Sequence, residues 1–151
     1  MGRRAGTENV AGIVGLGKAC EIASASLAED AIRMRTLRDR LHEGIAGRTD
    51  GVRLNGHSEY RLPNTLNLSF QGLDANRLLE EIGREVAASA GAACHAGSVA
   101  VSHVLDAMRV PIEWARGALR FSLGRMTTPA DIDRAVDAVT LAVTGLRNET
   151  K

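Results

Sequence analysis

Thr65-Leu66-Asn67-Leu68-Ser69-Phe70 alternates polar and apolar side chains without a break. Along an extended chain successive side chains point to opposite faces, so Leu66, Leu68 and Phe70 share one face while Asn67 and Ser69 share the other. That pattern predicts a half-buried strand, with Pro63 marking its start. Ala118-Leu119-Arg120-Phe121-Ser122-Leu123 repeats the period, with Leu119, Phe121 and Leu123 opposed to Arg120 and Ser122. Two strands that each bury one face need an apolar cover, and the segments around them supply it as helices.

Asn9 is a good helix N-cap, and after it Ile13, Leu16, Cys20, Ala23 and Leu27, then Met34, Leu37, Leu41 and Ile45, recur three or four residues apart. The spacing predicts one long amphipathic helix that stops near Gly47. Val52-Arg53-Leu54 reads as a short strand entering a turn at Asn55-Gly56. Asp74 caps a helix carrying Leu78, Leu79 and Ile82 on its inner side, and residues 86–89 read as a short strand. Ser102 and Pro111 each open a short helix. Thr128, Pro129 and Asp131 then form the start of a final helix, with Thr128 as N-cap and Asp131 at the positive end of the helix dipole. Its apolar stripe is Ile132, Val136, Val139, Val143 and Leu146. The expected fold is α+β: a small, mostly antiparallel sheet covered by helices on one side, with a long N-terminal helix.

At 151 residues the chain is long enough to bury one core without metal or disulfide staples. A formal net charge of +1 gives no large field of either sign, so nucleic acid is not an expected partner. No stretch approaches the ~20 apolar residues a membrane span needs, and the N-terminus lacks the apolar core of a signal peptide. A cytoplasmic protein with two free thiols, Cys20 and Cys94, is expected.

The two thiols have different surroundings. Cys20 falls on the apolar stripe of the first helix and is expected to be inert. Cys94 lies in Ser89-Ala90-Gly91-Ala92-Ala93-Cys94-His95-Ala96-Gly97-Ser98, where small neighbours leave a thiol exposed and His95, when protonated, favours the thiolate. A lone cysteine is otherwise read as a small buried hydrophobe. A metal site from Cys94, His95 and His103 is not expected, since adjacent residues rarely chelate one ion and no second cysteine is near. His57 and His103 read as structural or surface residues.

Five stretches, in order, carry a resemblance: residues 3–9 (Arg-Arg-Ala-Gly-Thr-Glu-Asn), 61–67 (Arg-Leu-Pro-Asn-Thr-Leu-Asn), 88–95 (Ala-Ser-Ala-Gly-Ala-Ala-Cys-His), 102–105 (Ser-His-Val-Leu) and 119–128 (Leu-Arg-Phe-Ser-Leu-Gly-Arg-Met-Thr-Thr). The chain resembles the C-terminal region of pyridoxal-phosphate (PLP) dependent cysteine desulfurases and the related selenocysteine lyases, which are class V aminotransferases of fold type I. The resemblance implies that Cys94 attacks the sulfur of a cysteine–PLP adduct, becomes a persulfide and hands its sulfur to an acceptor protein while alanine is released. It implies that Arg120 holds the substrate carboxylate, with Arg125 a candidate for the same anionic region. It also implies that the Thr7 hydroxyl meets the PLP phosphate of a neighbouring subunit. Residues 1–9 would then be the end of a large domain, and residues 10–151 the small C-terminal domain.

The family's Schiff-base lysine has no counterpart here. Lys18 lies inside the first helix and Lys151 is the last residue, so neither has the strand-end setting that activates an amine. Neither tight PLP binding nor turnover is expected of this chain alone. Surface meant for a large domain would be exposed, which predicts a homodimer or larger assembly. Three readings stay open at this point: a desulfurase or selenocysteine lyase domain that needs a lysine-bearing chain, a PLP-independent sulfur carrier, and a folded remnant without activity of its own.

Overall fold

The computed structural model describes residues 6–90 and 101–149. Among these residues nine elements follow one another: helix α1 (Val10–Ala46), strands β1 (Val52–Leu54) and β2 (Thr65–Phe70), helix α2 (Ala75–Ile82), strand β3 (Ser89–Ala90), helices α3 (His103–Ala107) and α4 (Ile112–Ala115), strand β4 (Ala118–Ser122) and helix α5 (Pro129–Glu149). The four strands form one sheet in the order β1-β2-β4-β3, and every pairing is antiparallel. The expected α+β fold is the one observed.

The alternation of β2 and β4 does what the sequence requires. Leu66, Leu68, Phe70, Leu119 and Phe121 point into one core with the C-terminal part of α1, with α2 and with α5. Each is at most 3 % exposed. Fully burying one such side chain is worth ~1.5–3 kcal/mol, so this row is the main source of stability. Helix α5 presents Ile132, Val136, Val139, Val143 and Leu146 to the same core, the stripe expected from its spacing. Its start is a capping box. The Thr128 backbone N–H donates to Asp131 Oδ2 at 2.8 Å, and the Asp131 N–H donates to Thr128 Oγ1 at 3.2 Å. These bonds hold the Asp131 carboxyl below its ordinary pKa, the Thr128 hydroxyl being the first cause.

The other face of the sheet carries polar side chains, of which Arg120 and Ser122 are exposed and Thr65, Asn67 and Ser89 half-buried. At its Ala118 end α3 and α4 cover it, through a small cluster of Leu105, Val110, Ala115 and Ala118.

Pro111 opens α4 as expected, from the N-cap position. Three expectations need correction. The strand expected at residues 86–89 pairs only at Ser89 and Ala90, because the Glu85 and Val86 N–H groups still donate to Ile82 O and keep the chain in a turn. The apolar stripe of α1 is buried only at Leu37, Leu41 and Ile45. Ile13, Leu16 and Leu27 are 59 %, 67 % and 67 % exposed, and Cys20 is exposed with them. Among the described residues the N-terminal half of α1 has nothing to pack on. This helix is also long and apolar enough to cross a membrane by length and composition alone. That corrects the expectation that no stretch is apolar enough: many alanines and glycines add to the large apolar residues, with Lys18 and Glu21 paired as ions among them.

The packed end of α1 is tied to the loop before β2 by charge. Arg38, 3 % exposed, donates from Nη1 to Leu62 O, and Arg38 and Arg61 share the Asp39 carboxylate. His42 stands beside this group, and its pKa is lowered from 6.5, first by burial and then by the Arg61 charge, with Arg38 adding and Asp39 and Glu43 opposing. The unfolded chain therefore binds more protons in the window below 6.5, so stability falls as pH drops through that window. The urea midpoint should decrease between about pH 7.5 and about pH 5.5, and His42→Gln should remove part of the slope. A midpoint flat in pH, or one that rises on acidification, would contradict this.

Candidate functional site

The open polar face of the sheet is where the chemistry-bearing side chains gather. Arg120 sits in the middle of β4, a central strand, and its Cα partners are Asn67 on β2 and Ser89 on β3. Directly opposed residues in an antiparallel sheet share a face, so Asn67, Arg120 and Ser89 form one row across it. Arg120 is exposed and makes no ion pair or side-chain hydrogen bond among the described residues. Arg33, Arg40 and Arg147 differ from it. Arg33 donates to Arg125 O and Thr127 O, Arg40 to both Asp133 oxygens, and Arg147 to Asp50 O. Those arginines hold elements together, whereas Arg120 keeps its donors available on an open face.

Asn67 is anchored from behind. Asn55, 9 % exposed, donates through Nδ2 to Asn67 Oδ1 at 2.7 Å and to Ser69 Oγ at 2.7 Å, and its backbone N–H donates to Asn67 O at 2.9 Å. The turn that delivers Asn55 needs Gly56, whose φ of +98° lies in the left-handed region that side chains avoid. The alternation of β2 places Asn67 on the polar face, so the sequence held the signal for this residue. Sequence reasoning assigned it no function.

Other expected site residues fall elsewhere or outside the description. Cys94 and His95 lie outside the described residues. Thr7 is exposed at the free end of α1. From Val10 to Leu37 the helix runs about 40 Å at 1.5 Å per residue, so Thr7 is far from where α1 joins the core. One chain does not bring Thr7 to Arg120. The Arg125 side chain is exposed while its carbonyl serves Arg33. His57 is a turn residue, with Nδ1 accepting the Glu59 and Tyr60 N–H groups at 3.0 Å and its ring tilted against Tyr60. His103 is an exposed first residue of α3. Among the described residues no group of histidine, cysteine and carboxylate side chains could hold a metal.

The described residues do not fit PLP. A Schiff-base lysine needs a desolvated amine, yet the Lys18 side chain is 62 % exposed and paired to Glu21 at 2.8 Å, and Lys151 lies outside the described residues. The row around Arg120 offers donors for an anion and no amine.

Known proteins share this architecture. The family model for aminotransferase class V matches residues 1–135. A cysteine desulfurase of Gluconacetobacter diazotrophicus is 46 % identical over 147 residues, which are 97 % of this chain and 37 % of that protein. A cysteine desulfurase of Bradyrhizobium diazoefficiens is 47 % identical over 151 residues, 99 % of this chain and 38 % of that protein. Among solved structures, a NifS-like protein superposes with a TM-score of 0.80 at 34 % identity, over 94 % of this chain and 36 % of that one. A NifS-like protein from Rickettsia africae gives 0.76 at 28 % identity, over 92 % and 36 %. The chain thus spans little more than a third of the length of the relatives it matches.

Proposed function

The chain belongs to the aminotransferase class-V family, and from that premise we propose that residues 10–151 are the C-terminal small domain of a cysteine desulfurase-like protein, with residues 1–9 the end of a larger domain and Cys94 the sulfur acceptor. In the reaction so assigned, the Cys94 thiolate forms an S–S bond to the sulfur of L-cysteine. The substrate C–S bond breaks, its carbon keeps the electron pair, takes up a proton and leaves in alanine, and Cys94 is left as a persulfide. Arg120 holds the substrate carboxylate through parallel N–H donors of its planar guanidinium.

The setting of Arg120 supports this reading above all else. A cation on the open face of a central strand, with no protein acceptor among the described residues, is prepared for an external anion. Its neighbour β3 is also the strand from which the chain runs on toward Cys94.

The reading assigns PLP, and the lysine that carries it, outside the described residues, on a separate domain or chain. Thr7, remote from Arg120 in its own chain, goes with a contact to the cofactor phosphate in a neighbouring subunit. Mixing the 151-residue chain with PLP and borohydride tests this directly. No stably reduced adduct should be retained, and stoichiometric reduction onto Lys18 would overturn the assignment.

A partner surface follows from the same picture. Val10, Ile13, Val14, Leu16, Leu27 and Ile32 are all at least 59 % exposed along α1, and contiguous apolar surface of that kind drives association. The isolated chain should be a homodimer or larger by light scattering, and Ile13→Lys with Leu16→Lys should shift it toward monomer. A wild-type monomer across the accessible concentration range would remove this part of the reading.

A further inference from the structure

We infer that Asn67 is a second carboxylate-binding residue, donating an N–H of its amide beside the Arg120 guanidinium, and that Asn55 sets its orientation. The inference rests on the proposed reading of Arg120 as the substrate-carboxylate residue and extends it to a side chain of another strand.

An asparagine opposite an arginine would ordinarily accept a hydrogen bond from it through Oδ1. Here that oxygen is taken by Asn55 Nδ2 at 2.7 Å, and Arg120 has no acceptor among the described residues. Asn67 Nδ2 makes no hydrogen bond among them either. The row therefore presents a guanidinium and an amide N–H₂ on one face with no acceptor between them. Neighbouring donors without an acceptor call for a ligand that only accepts, and a carboxylate does so with two oxygens. The third member of the row, Ser89, turns its hydroxyl to Ala90 O at 3.3 Å and leaves the pair unopposed.

Holding Asn67 this way has a cost. Asn55 is nine-tenths buried and its Oδ1 finds no partner among the described residues, whereas native interiors leave few such atoms unsatisfied. The donation to Ser69 Oγ, on a residue with no exposed surface, fixes Asn55 and through it the direction of the Asn67 amide. A network that accepts a buried orphan oxygen in order to aim a free amide outward fits a binding role better than a packing one.

The test is a titration of the ¹⁵N-labelled chain with L-alanine, the product of the proposed reaction, and separately with L-alaninamide, which lacks the carboxylate. The Asn67 side-chain N–H₂ and Arg120 Nε–H resonances should move together with one saturation curve for L-alanine and stay unsaturated for the amide. Asn67→Ala should weaken the L-alanine response of Arg120 about tenfold, the value of one hydrogen bond to a charged group. Asn55→Ala should weaken it less while leaving Arg120 in place. Asn67→Ser, a smaller change for the fold, should fall between wild type and Asn67→Ala. If Arg120 responds with unchanged affinity in Asn67→Ala, and the Asn67 amide never moves in wild type, this inference falls and the role of Arg120 stands. If neither resonance answers to L-alanine, the reading of Arg120 itself falls.

Discussion

Gly117→Ala should cost about 3 kcal/mol or more, beyond the ordinary range for one added methyl, and lower the melting temperature by roughly 10 °C. Gly117 links α4 to β4, and a Cβ built on it lies 2.2 Å from Phe70 O, 3.0 Å from Leu73 O and 3.1 Å from Phe70 C. All three are backbone atoms, so no side chain can swing aside. The Phe70 N–H donates to Gly117 O at 3.0 Å, the Gly72 N–H to Glu113 O at 3.0 Å and the Ala75 N–H to Arg116 O at 2.9 Å. This seam joins the end of β2 to the start of β4, and the methyl must open it beside Phe70, which has no exposed surface. Two other glycines calibrate the result. At Gly44 the new Cβ meets Val136 Cγ2 at 2.7 Å, a side chain on the facing helix, so Gly44→Ala should cost less. At Gly145 it meets nothing within 4 Å on an exposed turn of α5, and Gly145→Ala should stabilise by about 0.5–1 kcal/mol through helix propensity alone. Thermal or urea unfolding of the three variants should rank them in that order. A Gly117→Ala variant as stable as wild type would show that the seam is not closed as described.

Where a residue's role followed from local period, the sequence disclosed it. Leu66, Leu68 and Phe70 announce a face of β2, and Ile132 to Leu146 announce a face of α5, because each period is fixed by backbone geometry that no distant contact changes. Asn9 and Asp74 announced their helices for the same reason, since a cap bonds within three residues of itself. Long-range facts were less legible. The stripe on α1 continues through Ile13, Leu16 and Cys20, yet period alone cannot tell whether a surface exists to cover it. Cys20, read as part of that apolar stripe, is exposed for that reason. The close approach at Gly117 depends on the turn at Phe70 and Leu73, far away in the sequence. The polar face was half legible. Alternation puts Asn67 and Arg120 outward, but only the register of β2 against β4 makes them neighbours, and only Asn55 shows which way the amide is turned.

Cys94→Ser should abolish sulfur loading of this chain outright. With a complete cysteine desulfurase and L-cysteine as the source, the Cys94 thiolate would attack the outer sulfur of the donor's persulfide, form a new S–S bond and displace the donor's thiolate. No oxidant is needed, because the transferred sulfur arrives already at the persulfide level. The exposure of Cys20 makes the chain its own control. A thiol on an open helix is reachable by solvent, so loading of Cys20 together with Cys94 would mark reach alone, while loading of Cys94 without Cys20 would mark activation by local charge. His95 adjoins Cys94 in sequence, and an imidazolium there would raise the thiolate fraction. Peptide mass mapping should therefore find the one-sulfur increment on the peptide that holds Cys94, none on the peptide that holds Cys20, and none on either in Cys94→Ser. Cys20→Ser should load as wild type does. Equal labelling of both cysteines would reduce the assignment to accessibility, and full labelling of Cys94→Ser on Cys20 would move the acceptor to the first helix. Because this measurement involves no coenzyme on the chain itself, it tests the thiol separately from the proposal that the amine lies elsewhere.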